Sequence, residues 1–192
     1  LEGFLRQAKN ETQTTARTGQ GGPVGAAIEA TYIKPYLAHA SIGLCCALAR
    51  FQGGRLEIWT HSQGIHNLRD DIVRALDQGP HPLAKEQITI HHAEGAGCYG
   101  HNGADDVAFD AVLLALERPG AMVRVLWTRE QELANAPLGS AHLVDLKATL
   151  DAQGQIERWS HELWANGYSS RPGRSATSVL LAAPHLPHGQ PA

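Results

Sequence analysis

The stretch ITIHHAEGAGCYGHNGADDVAFDAVLLALE, Ile88 to Glu117, decides the fold. β-Branched residues run into Gly95-x-Gly97-x-x-Gly100, and an apolar helical pattern follows. That is the strand, glycine turn, helix order of a dinucleotide-binding fingerprint. Three details oppose that reading. In a dinucleotide site the third glycine lies inside the opening helix, whereas HNGA separates Gly100 from the helix here. The strand ends His91-His92-Ala93-Glu94 where an apolar run into the first glycine is expected. An acidic residue is expected at a second strand end about 20 residues later, and the nearest candidate there, Glu130, is too far along. A Gly-Ala-Gly stretch still lets backbone N–H groups approach a ligand closely, and the helix beyond it offers a positive end to an anion. A loop that merely needs positive φ explains the same glycines, so both readings stand on these residues alone.

Working outward, ADDVAFDAVLLALE is apolar nearly all round, which predicts a buried helix. Asp105 and Asp106 in its first turn complement the helix dipole, and Pro119-Gly120 ends it. AMVRVLWT then reads as a strand. Upstream, GIHNLRDDIVRALDQ places Ile65, Leu68, Ile72, Val73 and Leu76 on one helical face. CALARF-QGG-RLEIWTHSQ reads as a hairpin around Gly53-Gly54. ATYIKPYLAHA has strand composition broken by Pro35, which puts it at an edge or a bulge. LVDLKATLDAQGQIERWSHELWA is a long hairpin turning near Gly154. The expected fold class is mixed α/β (α+β), a mixed sheet with hairpins and two main helices. Residues 1–27, rich in Gly, Gln and Thr, read as a linker or extended arm, residues 28–183 as one domain and residues 184–192 as a tail. Raggedness at both ends suggests a piece of a longer chain.

Composition narrows the function classes. The 192 residues are enough for one domain with a core. Net charge is -3 and the 16 Lys and Arg are scattered, so no nucleic-acid partner is expected. There is no run of about 18 apolar residues, and hence no expected transmembrane segment; no secretory apolar region opens the chain. Cys45, Cys46 and Cys98 form no C-x-x-C pair, which argues against a disulfide framework, a structural zinc or an iron–sulfur cluster on this chain. The 11 histidines show no H-x-x-x-H spacing, and His91 and His92 point to opposite faces of a strand. No metal ligand is assigned among the side chains.

Taken in order, several segments resemble the molybdopterin-binding large subunit of the xanthine dehydrogenase and aldehyde oxidase family, in its isoquinoline 1-oxidoreductase and nicotinate dehydrogenase form. YLAHASIG (36–43) is similar to the family's early Tyr-Leu segment. LEIWTHSQGIHNLRDDIVRAL is similar to the strand that ends in Thr- or Ser-Gln before a helix. GAGCYGHNGADD stands where the family carries a glycine loop, commonly Gly-Gly-Gly-Phe-Gly. VRVLWTRE and LKATLDAQGQIERWSHELWANGYSS resemble the strands that follow. The likeness runs from about Tyr32 to Tyr168.

The resemblance implies a molybdenum pyranopterin cofactor, with a cytosine dinucleotide among its forms, whose metal is held by the cofactor and not by protein. It implies that Gln63 hydrogen-bonds an oxygen ligand of the molybdenum, and that Gly95, Ala96, Gly97, Cys98, Tyr99 and Gly100 contact pterin and metal ligands. Strand alternation would put Trp59, His61 and Gln63 on one face. Aligned without a gap, Cys98 falls on the family's phenylalanine and Tyr99 on its glycine. Shifting by one residue matches the aromatic but moves the glycines, so the resemblance leaves the aromatic position that shapes substrate access to Tyr99 or Cys98. LANAPLGSAH lacks the arginine of purine-oxidising members, which disfavours a purine. The family's catalytic base is a glutamate in a late Gly-Glu motif of a much longer subunit. No segment here matches it, so no catalytic residue is assigned and the isolated chain is expected to be inactive. The implied parent is a molybdenum-dependent oxidoreductase hydroxylating N-heterocycles or oxidising aldehydes with water as oxygen source. Its implied partners are the rest of the large subunit, a small subunit carrying [2Fe–2S] clusters, and in some members a cytochrome c acceptor. Compartment stays open between cytoplasm and the periplasmic face of the inner membrane. The competing reading is a non-catalytic α/β binding or assembly module.

Overall fold

The computed structural model describes residues 1–9, 11–14, 27–95, 97–167, 171–173 and 175–187. The chain forms two compact units, one from residues 1–37 and 140–168, the other from 38–139 and 169–192. Residues 28–183, read above as one domain, are thus divided.

The first unit is a sheet of three antiparallel strands, β1 (Ala27–Lys34), β8 (His142–Leu150) and β9 (Ile156–Ala165), with β8 central. Pro35 directly follows β1, and β1 lies at an edge, where a missing N–H costs no ladder bond. Gly154 turns the β8–β9 hairpin at φ +78. The opening of the expected arm differs: Glu2–Gln7 is a helix, α1. Its Leu5 is buried against Ala141, Leu143 and Trp164. Arg6 donates to both carboxylate oxygens of Asp145 at 2.8 and 3.0 Å and lies over the Trp164 ring. One buried leucine and one cation fasten this short helix, a signal too sparse to show as periodicity.

The second unit holds a four-stranded mixed sheet in the order β5-β4-β3-β6, with β3 Cys46–Gln52, β4 Arg55–Thr60, β5 Ile88–His92 and β6 Met122–Leu126. The β3–β4 hairpin closes on Gly53 and Gly54, both left-handed at φ +58 and +72, as a two-residue type I′ turn requires. Helix α2 (Ile65–Leu76) carries the chain from β4 to the parallel strand β5. Helix α3 (Ala104–Leu116) carries it to β6, which pairs antiparallel with β3. Short strands β2 (Leu37–Ala38) and β7 (Leu138–Gly139) lie where the chain passes between the units.

The core forms as the patterns dictate. Leu56 and Ile58 of β4, Ala47 and Ala49 of β3, Leu68 and Ile72 of α2, and Val107, Phe109 and Val112 of α3 are fully buried. After β6, helix α4 (Arg129–Asn135) starts on a capping box in which the Thr128 side chain accepts from the Gln131 N–H. The segment 175–187 returns to the same core through Leu180, Ala183 and Leu186. Two buried aspartates hold it: Asp71 accepts from the Val179 N–H at 3.0 Å and Asp106 from the Leu181 N–H at 2.9 Å. The tail expected from residue 184 therefore begins inside packed structure, at the 3-10 turn Ala183–His185.

Candidate functional site

All the sequence-derived site residues fall in the second unit, on two loops at one end of its sheet. The first loop leaves β4 for α2 and carries Gln63. Strand pairing stops at Thr60, so Gln63 sits in the turn, exposed, and does not extend the strand face of Trp59. The second loop, residues 93–103, leaves the neighbouring strand β5 for α3. Because β4 and β5 are parallel and adjacent, both loops emerge at the same sheet end. That is where parallel sheets place ligands, since helix-directed turns leave a crevice between them.

The glycine loop is held to a narrow set of backbone shapes. Gly97 has φ +92 and Gly100 φ +135. A Cβ at Gly95 would come within 2.7 Å of His61 Nδ1, and one at Gly100 within 2.1 Å of the His39 ring. The glycines are thus required by the loop's own packing. Tyr99 adopts φ +51, a left-handed conformation that is uncommon outside glycine. Its side chain is 61% exposed beside Gly97. Cys98 is a free, half-buried thiol that donates to the Gly100 carbonyl at 3.1 Å. Ala96 lies outside the described residues.

One residue that sequence reasoning passes over joins the two loops. Arg171 Nη2 donates to Gln63 Oε1 at 3.1 Å and to the Gly100 carbonyl at 2.5 Å, with Cys98 Sγ at 3.6 Å. Pro172 beside it is buried, and Gly173, at φ +83, packs so closely that a Cβ would meet Asn67 of α2 at 2.7 Å. Nothing local in RPG announces a partner 108 residues away.

Beneath the loop lies a buried polar network. Ser62 Oγ donates to Asp105 Oδ1 at 2.5 Å, and His101 Nε2 is 3.4 Å from Asp105 Oδ2. Asn102 donates to Ser41 Oγ at 3.1 Å and to the Gly97 carbonyl at 3.3 Å, while its oxygen accepts the Ala104 N–H. Serine, histidine and aspartate meet here, but the serine gives its proton directly to the carboxylate and His101 is 2% exposed. The arrangement lacks a base on the serine and is a loop anchor, not a nucleophile. The positive end of α3 already faces its own carboxylates, Asp105 and Asp106. Burial holds Asp106 up at about 7, against the lowering effect of the Leu181 N–H. Burial also lowers His61, so its ring is neutral at pH 7 and Nε2 accepts the Cys46 N–H at 3.4 Å.

The comparisons with known proteins agree with this picture. A family model described as the molybdopterin cofactor-binding domain matches residues 10–187. The chain is 40% identical over 153 residues to the matching subunit of nicotinate dehydrogenase from Pseudomonas putida, covering 79% of this chain and 12% of that protein. It is 29% identical over 143 residues to the molybdenum-binding subunit of an Escherichia coli aldehyde oxidoreductase, covering 72% of this chain and 18% of that one. Among solved structures, CO dehydrogenase from Oligotropha carboxidovorans superposes with a TM-score of 0.57 at 15% identity, over 73% of this chain and 17% of that one, which shows a shared fold. The chain therefore spans less than a fifth of the length of these relatives.

Proposed function

Because the chain belongs to the molybdopterin cofactor-binding domain family, we propose that it is the part of a molybdenum hydroxylase large subunit in which Gln63 and the loop Gly95–Gly100, with Cys98 and Tyr99, contact the cofactor. The observation that carries this reading is the meeting of Gln63 with Cys98 and Gly100 on one guanidinium, at the shared end of two parallel strands. The donor set suits the group. Gln63 offers an amide that is exposed and held at one end, and Gly97 and Gly100 hold backbone in shapes closed to bulkier residues. When bound, the cofactor would supply a redox-active molybdenum centre able to accept two electrons. This chain's own residues bind and orient: Gln63 Nε2 donates to an acceptor on the cofactor, glycine-loop N–H groups approach the pterin, and Tyr99 borders substrate access.

The parent protein hydroxylates an N-heterocycle or oxidises an aldehyde with oxygen from water; relatives named as a nicotinate dehydrogenase and an aldehyde oxidoreductase support the two substrate classes. Residues 133–142 hold no arginine, so a purine is disfavoured. The cofactor carries cytosine dinucleotide, and electrons leave through a partner with [2Fe–2S] clusters, in some assemblies reaching a cytochrome c. The catalytic base comes from the rest of the large subunit. The test is molybdenum content. The full subunit, expressed with its partners and molybdate, is expected to hold about one molybdenum per polypeptide, and Gln63→Ala to lose most of it, by roughly tenfold or more. Stoichiometric absence from the unsubstituted protein, or full retention in Gln63→Ala, overturns the reading.

A further inference from the structure

We infer that Arg171 is a positioning residue that fixes which end of the Gln63 amide faces the cofactor. This rests on the reading of Gln63 given above and adds a residue to it. A guanidinium carries only donors. Arg171 Nη2 has two hydrogens, and two oxygens lie within reach, Gln63 Oε1 at 3.1 Å and the Gly100 carbonyl at 2.5 Å. Gln63 can meet it only through its oxygen, because the flipped amide would set two N–H donors against a cation. The Nε2 end is then turned away from the cation, and among the described residues no acceptor is bonded to it, which leaves it to donate to a ligand.

The same nitrogen also ties the Gly100 carbonyl, and so the glycine loop, to the turn after β4. One cation thereby sets the orientation of the donor and its spacing from the loop. Without it, Gln63 is an exposed side chain with several free torsions, and ordering it on the ligand costs rotamer freedom. Arg171 is itself aimed by its backbone: Pro172 is buried and Gly173 is pressed against Asn67 of α2. Lysine is no equivalent, since a single ammonium on a flexible stem does not hold two oxygens in a fixed plane.

The experiment uses the full subunit with its partners, expressed with limiting molybdate. Four variants are compared: Arg171→Met, Arg171→Lys, Gln63→Ala and the double Arg171→Met/Gln63→Ala. Molybdenum per polypeptide and the Mo(V) electron paramagnetic resonance signal are read, with thermal unfolding of each variant as the control for folding. Arg171→Met is expected to lower molybdenum content by roughly tenfold to hundredfold and to change the Mo(V) signal, at an unchanged melting temperature. The double variant should lose no more than Gln63→Ala alone, and Arg171→Lys should recover only part. If Gln63→Ala loses molybdenum while Arg171→Met keeps it with an unchanged signal, the role of Arg171 is refuted and the reading of Gln63 stands. Additive losses in the double variant also refute it, because Arg171 would then act without Gln63. If Gln63→Ala keeps its molybdenum, the reading of the site itself has failed. Should Arg171→Met not fold, Arg171→Lys with wild-type content and signal refutes the proposal.

Discussion

Asp106 makes the fold's stability depend on pH in the direction opposite to most carboxylates. It sits in the first turn of α3, 7% exposed, with burial raising its pKa from 3.8 to about 7 and Asp105, Asp110 and Asp71 adding repulsion. The fold favours the neutral acid. Between about pH 4 and about pH 7 the native state keeps a proton that the unfolded chain has released, so stability falls as pH rises through that window. Three units or so at 1.36 kcal/mol each set the loss at about 4 kcal/mol. Asp106→Asn keeps the shape and an oxygen for the Leu181 N–H, and never ionises. Urea unfolding followed by far-ultraviolet circular dichroism should show the variant gaining on the wild type by up to about 4 kcal/mol between about pH 4 and about pH 8. Acids that do not interact with Asp106 titrate equally in both proteins and cancel in the difference. A difference that stays constant with pH, or shrinks as pH rises, refutes the argument.

Two further outcomes follow from the packing. Gly100→Ala joins a strained φ to a Cβ 2.1 Å from the His39 ring and should cost about 2 to 4 kcal/mol in thermal unfolding. Gly120→Ala, at φ +86 with nothing within 4 Å among the described residues, should cost only about 1 kcal/mol; equal losses would discount the His39 clash. Asp71→Asn weakens the acceptor of the Arg74, Ser178 and Val179 bonds and should destabilise by about 2 kcal/mol. Limited proteolysis should then cut residues 178–187 faster, and an unchanged rate would count against Asp71 as the anchor of this returning segment.

Much of this fold is legible locally because each signal is local. Gly53-Gly54 between two strand-length runs points to a tight hairpin, and the pattern Leu68, Ile72, Leu76 to a helix with one buried face. The apolar surround of α3 foretells its burial between sheet and return segment. What the sequence hides is set by contacts across long separations. α1 is fastened by Leu5 and Arg6 to residues about 140 positions away, with no periodic stripe to announce it. Arg171 meets Gln63 through a turn whose shape depends on Asn67. The glycine loop lies between: its need for positive φ is readable, but His39 and His61, which close around it, come from other elements. Asp105 and Asp106 read as complements of a helix dipole, and that Asp106 also accepts the Leu181 N–H from a segment 75 residues away is not legible locally.

The interleaved construction of the first unit sets a schedule for synthesis. Among the described residues β1 has its sheet partner in β8 alone, and Lys34 pairs with His142, which leaves the ribosome about 100 residues and thus roughly 5 to 20 seconds later. Throughout that interval a strand bearing Ile28, Tyr32 and Ile33 waits with its hydrogen-bonding edge open. The sheet of the second unit is complete by Leu126, before β8 has been made. Within this stretch the later-paired strand is made first, and the open edge of β1 is a place for a chaperone to protect until β8 emerges.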